Sequence, residues 1–193
     1  MPCQSYSSSS GENLRPNIYS VINPIEEIMN GRILIACATK YGSTYKIAEF
    51  MGDELKKTGL SADVYAAEDV NDVSAYNLIV IGSPVYAGKW LPDATNMVQR
   101  NLAVLKGKRV AFFTAGISMK DDTPENREKL KEASGEAGRE INPVSEGFFA
   151  GKITYRELSF LHKIMIKAVK APEGDFRDWK KIREWTLSLA EYL

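Results

Sequence analysis

Cysteine and histidine are nearly absent from this chain of 193 residues, which contains Cys3, Cys37 and a single histidine, His162. Two cysteines exclude a disulfide framework, and so few ligands exclude a zinc site built from several Cys and His side chains. A serine–histidine–aspartate mechanism would have His162 as its one possible base. We therefore expect the chemistry of this protein to come from a bound cofactor or from carboxylates.

An excess of charge is also missing, because 25 Lys and Arg balance 25 Asp and Glu. Proteins that bind nucleic acid through its phosphates are usually strongly basic, so we expect no nucleic-acid partner. No apolar run approaches the ~18–20 residues that span a bilayer. Residues 1–30 begin with a serine-rich polar stretch and lack the basic start and apolar core of a secretory signal. We predict that they form a partly disordered extension and that the protein is cytoplasmic.

Residues 31–193 alternate short apolar runs with segments of helical periodicity, and we interpret them as one domain. The pattern predicts strands at residues 33–38, 62–66, 77–82 and 109–114 and within 141–150, and helices at residues 45–57, 94–105, 124–138 and 176–192. Strands that alternate with helices indicate a doubly wound parallel sheet with helices on both faces. Ligands of such sheets bind beyond the carboxyl ends of the strands.

The loop after the first predicted strand is rich in hydroxyl groups. It contains Thr39, Lys40, Tyr41, Gly42, Ser43 and Thr44, and a predicted helix follows at once. The N–H groups and the dipole of a helix N-terminus favour an anion, and the hydroxyls of Thr39, Ser43 and Thr44 can donate to it. The glycine-rich motifs of nucleoside triphosphate and dinucleotide sites are absent. The loop suits a phosphate monoester, although Ser43 and Thr44 can instead serve as helix caps.

Two later loops supply aromatic and small residues at the same edge of the sheet. One contains Ser83, Pro84, Val85, Tyr86, Ala87 and Gly88, followed by Trp90. Tyr86 and Trp90 can stack on a flat ring, and for Trp90 the alternative is packing onto the helix that begins near Pro92. The other contains Thr114, Ala115 and Gly116, whose small side chains permit close approach of the backbone to a ligand.

An insertion at residues 151–174 separates the last strand from the final helix. Residues 157–170 are predicted to form a helix with an apolar stripe and with Lys163, Lys167 and Lys170 on another face. This helix packs on the domain as an ordinary surface helix, or it meets a membrane or an acidic partner. We expect His162 to be a surface residue of this helix.

The pattern Thr39-x-x-Gly42-x-Thr44-x-x-x-Ala48 resembles the FMN phosphate loop of flavodoxins. The Ser83-Pro84-x-Tyr86 loop, the inserted segment 163–167 and the Asp178-Trp179 pair are together similar to a flavodoxin-like subfamily that includes menaquinone-dependent protoporphyrinogen oxidase. The resemblance covers residues 31–193.

This resemblance implies a five-stranded parallel sheet in the order 2-1-3-4-5. It also implies FMN as the cofactor, held by the three loops described above, with no metal. The function that it implies is an oxidoreductase that passes electrons between an organic donor and a quinone-type acceptor. The alternatives are a flavodoxin-type electron carrier without a substrate of its own, and an interaction module without FMN. The redox partner is expected to be a quinone, a protein or a small molecule, with peripheral membrane contact through residues 157–170.

Overall fold

The computed structural model describes residues 31–160, 162–164 and 172–193. The predicted extension at residues 1–30 lies outside this range, as do residues 161 and 165–171 of the predicted inserted helix. No helix within the described ranges is both long enough and apolar enough to cross a membrane.

Strands and helices alternate along the described chain. The strands are β1 (Arg32–Cys37), β2 (Ser61–Ala66), β3 (Leu78–Tyr86), β4 (Lys89–Trp90), β5 (Arg109–Ala115), β6 (Ser145–Phe149), β7 (Lys152–Ile153) and β8 (Gly174–Asp175). The α-helices are α1 (Ser43–Lys57), α2 (Pro92–Leu105), α3 (Pro124–Glu132), α4 (Glu136–Glu140) and α5 (Trp179–Ser188), and residues 160 and 162–164 are also helical.

The five long strands form a parallel sheet in the order β2-β1-β3-β5-β6. This is the predicted order 2-1-3-4-5 once the short hairpin strand β4 is left out of the count, so the predicted doubly wound architecture is confirmed. β7 and β8 pair antiparallel in a separate two-stranded ribbon, with Ile153 opposite Gly174. The ribbon therefore brings the two ends of the insertion together.

Strand β1 shows why the central strands read as continuous apolar runs. Its residues from Ile33 to Cys37 are buried. Leu34 and Ala36 contribute to the core on one face of the sheet, which includes Met97 of α2. Ile33, Ile35 and Cys37 contribute to the core on the other face, together with residues of α1 and α5. Side chains of a strand alternate between faces, so helices on both faces require apolar residues at every position.

The second predicted loop is for the most part regular structure. We predicted a strand that ends at Gly82, whereas β3 continues to Tyr86 and folds back as a tight hairpin onto β4. Ala87 and Gly88 form the turn with positive φ angles of 50° and 77°. Two successive residues of positive φ are typical of a two-residue hairpin turn. Pro84 lies opposite Ala115 near the end of the ladder with β5.

Several predicted helix boundaries are wrong. The segment predicted as one helix from 124 to 138 is broken into α3 and α4 at Gly135, which has a φ of 58°. The final helix begins at Trp179 rather than at 176, because the Asp178 side chain caps it by accepting from the Lys181 N–H at 3.0 Å. In the insertion, Glu157 lies in a turn, and the described helical residues start at Phe160.

Candidate functional site

A cavity of about 460 Å³ lies at the carboxyl ends of the central strands. Its volume is within the range of small-molecule sites. It is lined by the first loop and the start of α1, by the β3–β4 hairpin, by the segment after β5, by the insertion, and by Arg177 after the insertion. The lining residues are Tyr41, Gly42, Ser43, Thr44 and Lys46; Pro84, Val85, Tyr86, Ala87 and Gly88; Ala115, Gly116 and Ile117; Gly151, Lys152, Ile153, Thr154, Glu157, Leu158 and His162; and Arg177. Eleven of the predicted site residues are thus brought together here.

The first loop meets the cavity at the N-terminus of α1. Gly42 precedes the helix in the left-handed conformation, with a φ of 78°, and no side chain forms a capping hydrogen bond. Ser43 and Thr44 lie inside the first turn, so neither of them is the cap. The first N–H groups of a helix have no partner within it, and α1 has no acidic residue in its first turn. This end of the cavity is therefore suited to an anion.

Thr39 adds a polar atom without a partner. Its Oγ1 is buried and forms no hydrogen bond within the described part of the chain. Neither Thr39 nor Lys40 lines the cavity. Lys40 is exposed, and its Nζ lies 5.4 Å from the centre of the Tyr86 ring. Buried hydroxyls nearly always have a partner, so the unpaired Thr39 hydroxyl, three residues before the N-cap Gly42, is a candidate donor to a bound anion.

Tyr86 is the aromatic residue of the β3–β4 hairpin that faces the cavity. Burial raises the pKa of its phenol to about 12, so the hydroxyl stays protonated near neutral pH. Ser83 is buried below it, where its Oγ accepts from the Leu91 N–H and donates to the Pro84 carbonyl, both at 2.9 Å. Ser83 therefore shapes the hairpin and does not line the cavity.

Trp90 and Thr114 lie behind the cavity wall. The Trp90 side chain is 5% exposed, and its ring packs on Phe112 with centroids 4.9 Å apart. Its Nε1 donates to Oγ1 of the buried Thr114 at 3.0 Å. Trp90 is therefore a packing residue, which was the alternative to stacking on a ligand. Of the two predicted stacking residues, Tyr86 lines the cavity and Trp90 does not.

The insertion closes one side of the cavity by contacting Tyr41 of the first loop. The Tyr41 hydroxyl accepts from the Ser159 N–H at 3.1 Å and is hydrogen-bonded to His162 Nδ1. The His162 ring also packs on Tyr86, with centroids 5.3 Å apart. The expectation that His162 is a surface residue is therefore wrong. Burial, and secondarily the charge of Lys40, lower its pKa.

Sequence reasoning missed the lining residues that the insertion supplies. Ile153 and Leu158 are buried there and pack with Tyr41 and Ile117. Arg177 follows β8 and reaches back to the Ser43 carbonyl. The signal that could have found them is the insertion itself, since extra chain at the ligand-binding edge of a doubly wound sheet has a cavity to cover.

Comparisons with known proteins agree with this geometry. The model of the flavodoxin domain family matches residues 34–180. Protoporphyrinogen IX dehydrogenase [quinone] of Escherichia coli (strain K12) is 21% identical over 173 residues, which span 82% of this chain and 94% of that protein.

Two solved flavodoxins share the fold. Flavodoxin 2 from Bacillus cereus has a TM-score of 0.54 and 21% identity, over 84% of this chain and all of its own. The flavodoxin of Streptococcus pneumonia TIGR4 has a TM-score of 0.54 and 16% identity, over 84% of this chain and all of its own.

The family match extends over well over half of the sequence, and the cofactor that it indicates is FMN. The described residues fit that cofactor, because the helix end at the cavity has no side-chain cap, the preceding loop has an unpaired hydroxyl, and the cavity has the volume of a small-molecule site. The chain belongs to the flavodoxin domain family and is an FMN-binding redox protein.

Proposed function

We propose that this protein is an FMN-dependent oxidoreductase that passes electrons between an organic donor and a quinone-type acceptor. The observation that supports the proposal best is the wall that the insertion adds to the cavity, through Ile153, Leu158 and His162. A carrier that meets its partners at an exposed flavin edge has no need of such a wall. The E. coli relative named above, although distant, is by its name a quinone-dependent dehydrogenase.

In this proposal the bound flavin accepts and releases the electrons, and the protein binds and orients it. The hydroxyls of Thr39, Ser43 and Thr44, with the N–H groups that start α1, hold the phosphate. Tyr86 lines the cavity and would contact the ring system, and it keeps its proton, so it would offer a hydrogen-bond donor at neutral pH. Ala115 and Gly116 let the backbone after β5 approach the ring closely.

The second candidate is a flavodoxin-type electron carrier without a substrate of its own. Carriers that recognise basic partners are steered by a strong negative charge. This chain has as many basic as acidic residues, which favours the oxidoreductase over such a carrier.

The experiment compares the full chain with a shortened variant in which an Asn-Gly turn replaces residues 154–173. Ile153 and Gly174 are antiparallel neighbours, so a two-residue turn can join them. Both proteins are loaded with FMN, reduced without oxygen, and mixed with a water-soluble quinone or with ferricyanide, a small oxidant that needs no binding site. The return of the flavin absorbance gives the rates.

We expect the shortened variant to react with quinone roughly tenfold or more slowly, as when one good binding interaction is lost. Its rate with ferricyanide should be unchanged or faster, because removal of the insertion exposes the flavin. Equal rates of the two proteins with both oxidants would favour the carrier. A full chain that takes up no FMN would contradict both and leave an interaction module.

We also propose that the insertion makes peripheral contact with the inner face of the membrane, from a cytoplasmic position. Phe160 is 77% exposed and Ile164 is 52% exposed, one helical turn apart, with Lys163 between them. Large apolar side chains beside a cation suit the surface of an anionic bilayer. Flotation with vesicles of anionic lipid tests this contact: the full chain should float, and a Phe160→Ser, Ile164→Ser variant should not. A full chain that stays below the vesicles would refute the contact.

A further inference from the structure

We propose that Arg177 binds the FMN phosphate directly, as a fixed cation that the segment just after the insertion supplies to the first loop. The proposal rests on FMN binding and adds a residue from outside the hydroxyl-rich loop. It makes the phosphate site a composite of two segments that are far apart in the sequence. It also makes the site discriminate between flavins with and without a phosphate.

Arg177 lies at the phosphate end of the cavity. It lines the cavity together with Gly42, Ser43 and Thr44, and its Nη1 lies 3.5 Å from the Ser43 carbonyl oxygen. Its side chain is 7% exposed. Two other cations line the cavity among the described residues, Lys46 and Lys152, and both are exposed. A charge held away from water interacts more strongly with an anion, so Arg177 is the cation best placed for a phosphate.

Neighbouring groups fix the orientation of the guanidinium. Its Nε and Nη2 donate to the two carboxylate oxygens of Asp175 at 2.8 and 2.5 Å. Its carbon lies 4.5 Å from the centre of the Trp179 ring. With the contact to Ser43, these bonds occupy three of the five N–H groups of an arginine, and the structure gives the other two no partner among the described residues.

The remaining N–H groups, one on Nη1 and one on Nη2, suit the geometry of a phosphate. An arginine fork can donate two parallel hydrogen bonds to one phosphate, which a lysine cannot do. Asp175 neutralises the Arg177 charge only in part, because the Asp175 side chain is 41% exposed and water screens its charge. The guanidinium therefore still attracts a second anion. The competing interpretation is that Arg177 only ties the ribbon to α1.

Riboflavin separates these interpretations, because it is FMN without the phosphate. The experiment measures the dissociation constants of FMN and riboflavin by flavin fluorescence for the full chain, for Arg177→Gln and for the control Arg183→Gln. Arg183 pairs with Glu54 at 2.6 Å and does not line the cavity.

We expect Arg177→Gln to weaken FMN binding by roughly tenfold or more, the effect of losing a charged hydrogen bond, and to leave riboflavin binding within about twofold. Arg183→Gln should change neither constant. Equal weakening of both flavins, or no weakening of either, would overturn the proposal. Failure of the full chain to bind either flavin would instead refute the proposed function.

Should Arg177→Gln not fold, Asp175→Asn provides the same test. It leaves the guanidinium against Ser43 and Trp179 but removes the charge that partly neutralises it. We then expect FMN to bind more tightly relative to riboflavin, and an unchanged ratio of the two constants would overturn the proposal. Weaker binding of both flavins by the same factor would show that the Arg177–Asp175 pair has only a structural role.

Discussion

At the scale of single residues, the first loop and the start of α1 contain polar groups without partners in the described part of the chain. The Thr39 hydroxyl is buried with no hydrogen bond in the described part of the chain, and the first N–H groups of α1 have no side-chain cap. An unpaired buried hydroxyl costs about 1–3 kcal/mol. The apoprotein therefore loses stability at atoms that a bound phosphate would satisfy.

We predict that Thr39→Val has opposite effects on the apoprotein and on FMN binding. Removing the unpaired hydroxyl should raise the free energy of unfolding of the apoprotein by up to ~1 kcal/mol. FMN should bind about tenfold more weakly, because one donor to the phosphate is lost. Urea unfolding and flavin fluorescence measure the two effects.

Thr58→Val is the matched control, because the Thr58 hydroxyl donates to the Leu55 carbonyl at 2.7 Å at the other end of α1. It should destabilise the protein by ~1 kcal/mol and leave FMN binding unchanged. A Thr39→Val protein that is less stable and binds FMN as tightly as the full chain would show that the Thr39 hydroxyl has a structural role.

We predict that His162 is neutral at pH 7. Burial, and then Lys40, lower its pKa below the ordinary value of 6.5, and the neutral ring can accept the Tyr41 hydroxyl proton at Nδ1. Its contribution to stability is complete above pH 6.5 and is lost as the pH falls from there through the folded pKa, because the unfolded chain binds the proton more readily.

His162 is the one histidine of the chain, so its NMR signals can be assigned without ambiguity. The titration midpoint should lie below 6.5 in the folded protein. In Tyr41→Phe, which removes the hydroxyl that bonds to Nδ1 and accepts from Ser159, the midpoint should move towards 6.5. A midpoint at or above 6.5 in the full chain would show that the imidazole is not held in this neutral contact.

At the scale of elements, the close approach of β3 and β5 depends on Gly82. A Cβ built at Gly82 would lie 2.0 Å from Cε1 and Cζ of Phe113. Phe113 is fully buried, packs with Phe149 and has no room to move aside. The packing of β5 beside β3 therefore requires glycine at position 82.

We predict that Gly82→Ala lowers the free energy of unfolding by at least ~1–3 kcal/mol, through overpacking against Phe113. Gly107→Ala is the control, since its Cβ would lie 3.6 Å from the nearest atom, the Val104 carbonyl oxygen. The control should change the stability by less than ~1 kcal/mol. Chemical denaturation measures both, and equal effects of the two substitutions would contradict the argument.

At the scale of the whole molecule, the insertion is joined to a complete domain. The cores on the two faces of the sheet consist mostly of residues from the strands and flanking helices, whereas the buried apolar residues in the described part of the insertion are Ile153 and Leu158. Antiparallel pairing of β7 with β8 closes its base. Described residues of the insertion therefore line the cavity, and none of them is a member of the two main cores.

We predict that the shortened variant, with Asn-Gly in place of residues 154–173, folds cooperatively and exposes its flavin. Its urea unfolding should remain a single transition, because both main cores are intact. Iodide should quench the fluorescence of its bound flavin more strongly than in the full chain. Loss of the single transition would show that the insertion is part of the folding core.

Local patterns in the sequence determined the parallel sheet, and they predicted that residues of the first loop and of the segment 84–88 line the ligand-binding edge. A strand buried on both faces must be apolar at every position, and the loop that follows it leads directly into a helix, so both are visible within a dozen residues. The sequence also predicts that ligands bind at the carboxyl edge, because alternating strands and helices allow few topologies.

Only the tertiary structure decided which side chains reach the cavity. Trp90 and Tyr86 look alike in the sequence, but the hairpin places Tyr86 at the cavity and buries Trp90 against Phe112. Tyr41 and His162 are 121 residues apart, and Ser43 and Arg177 are 134 residues apart. Such contacts depend on how the insertion folds back over the sheet. No local spacing encodes that path, because it is set by packing between segments that are distant in the chain.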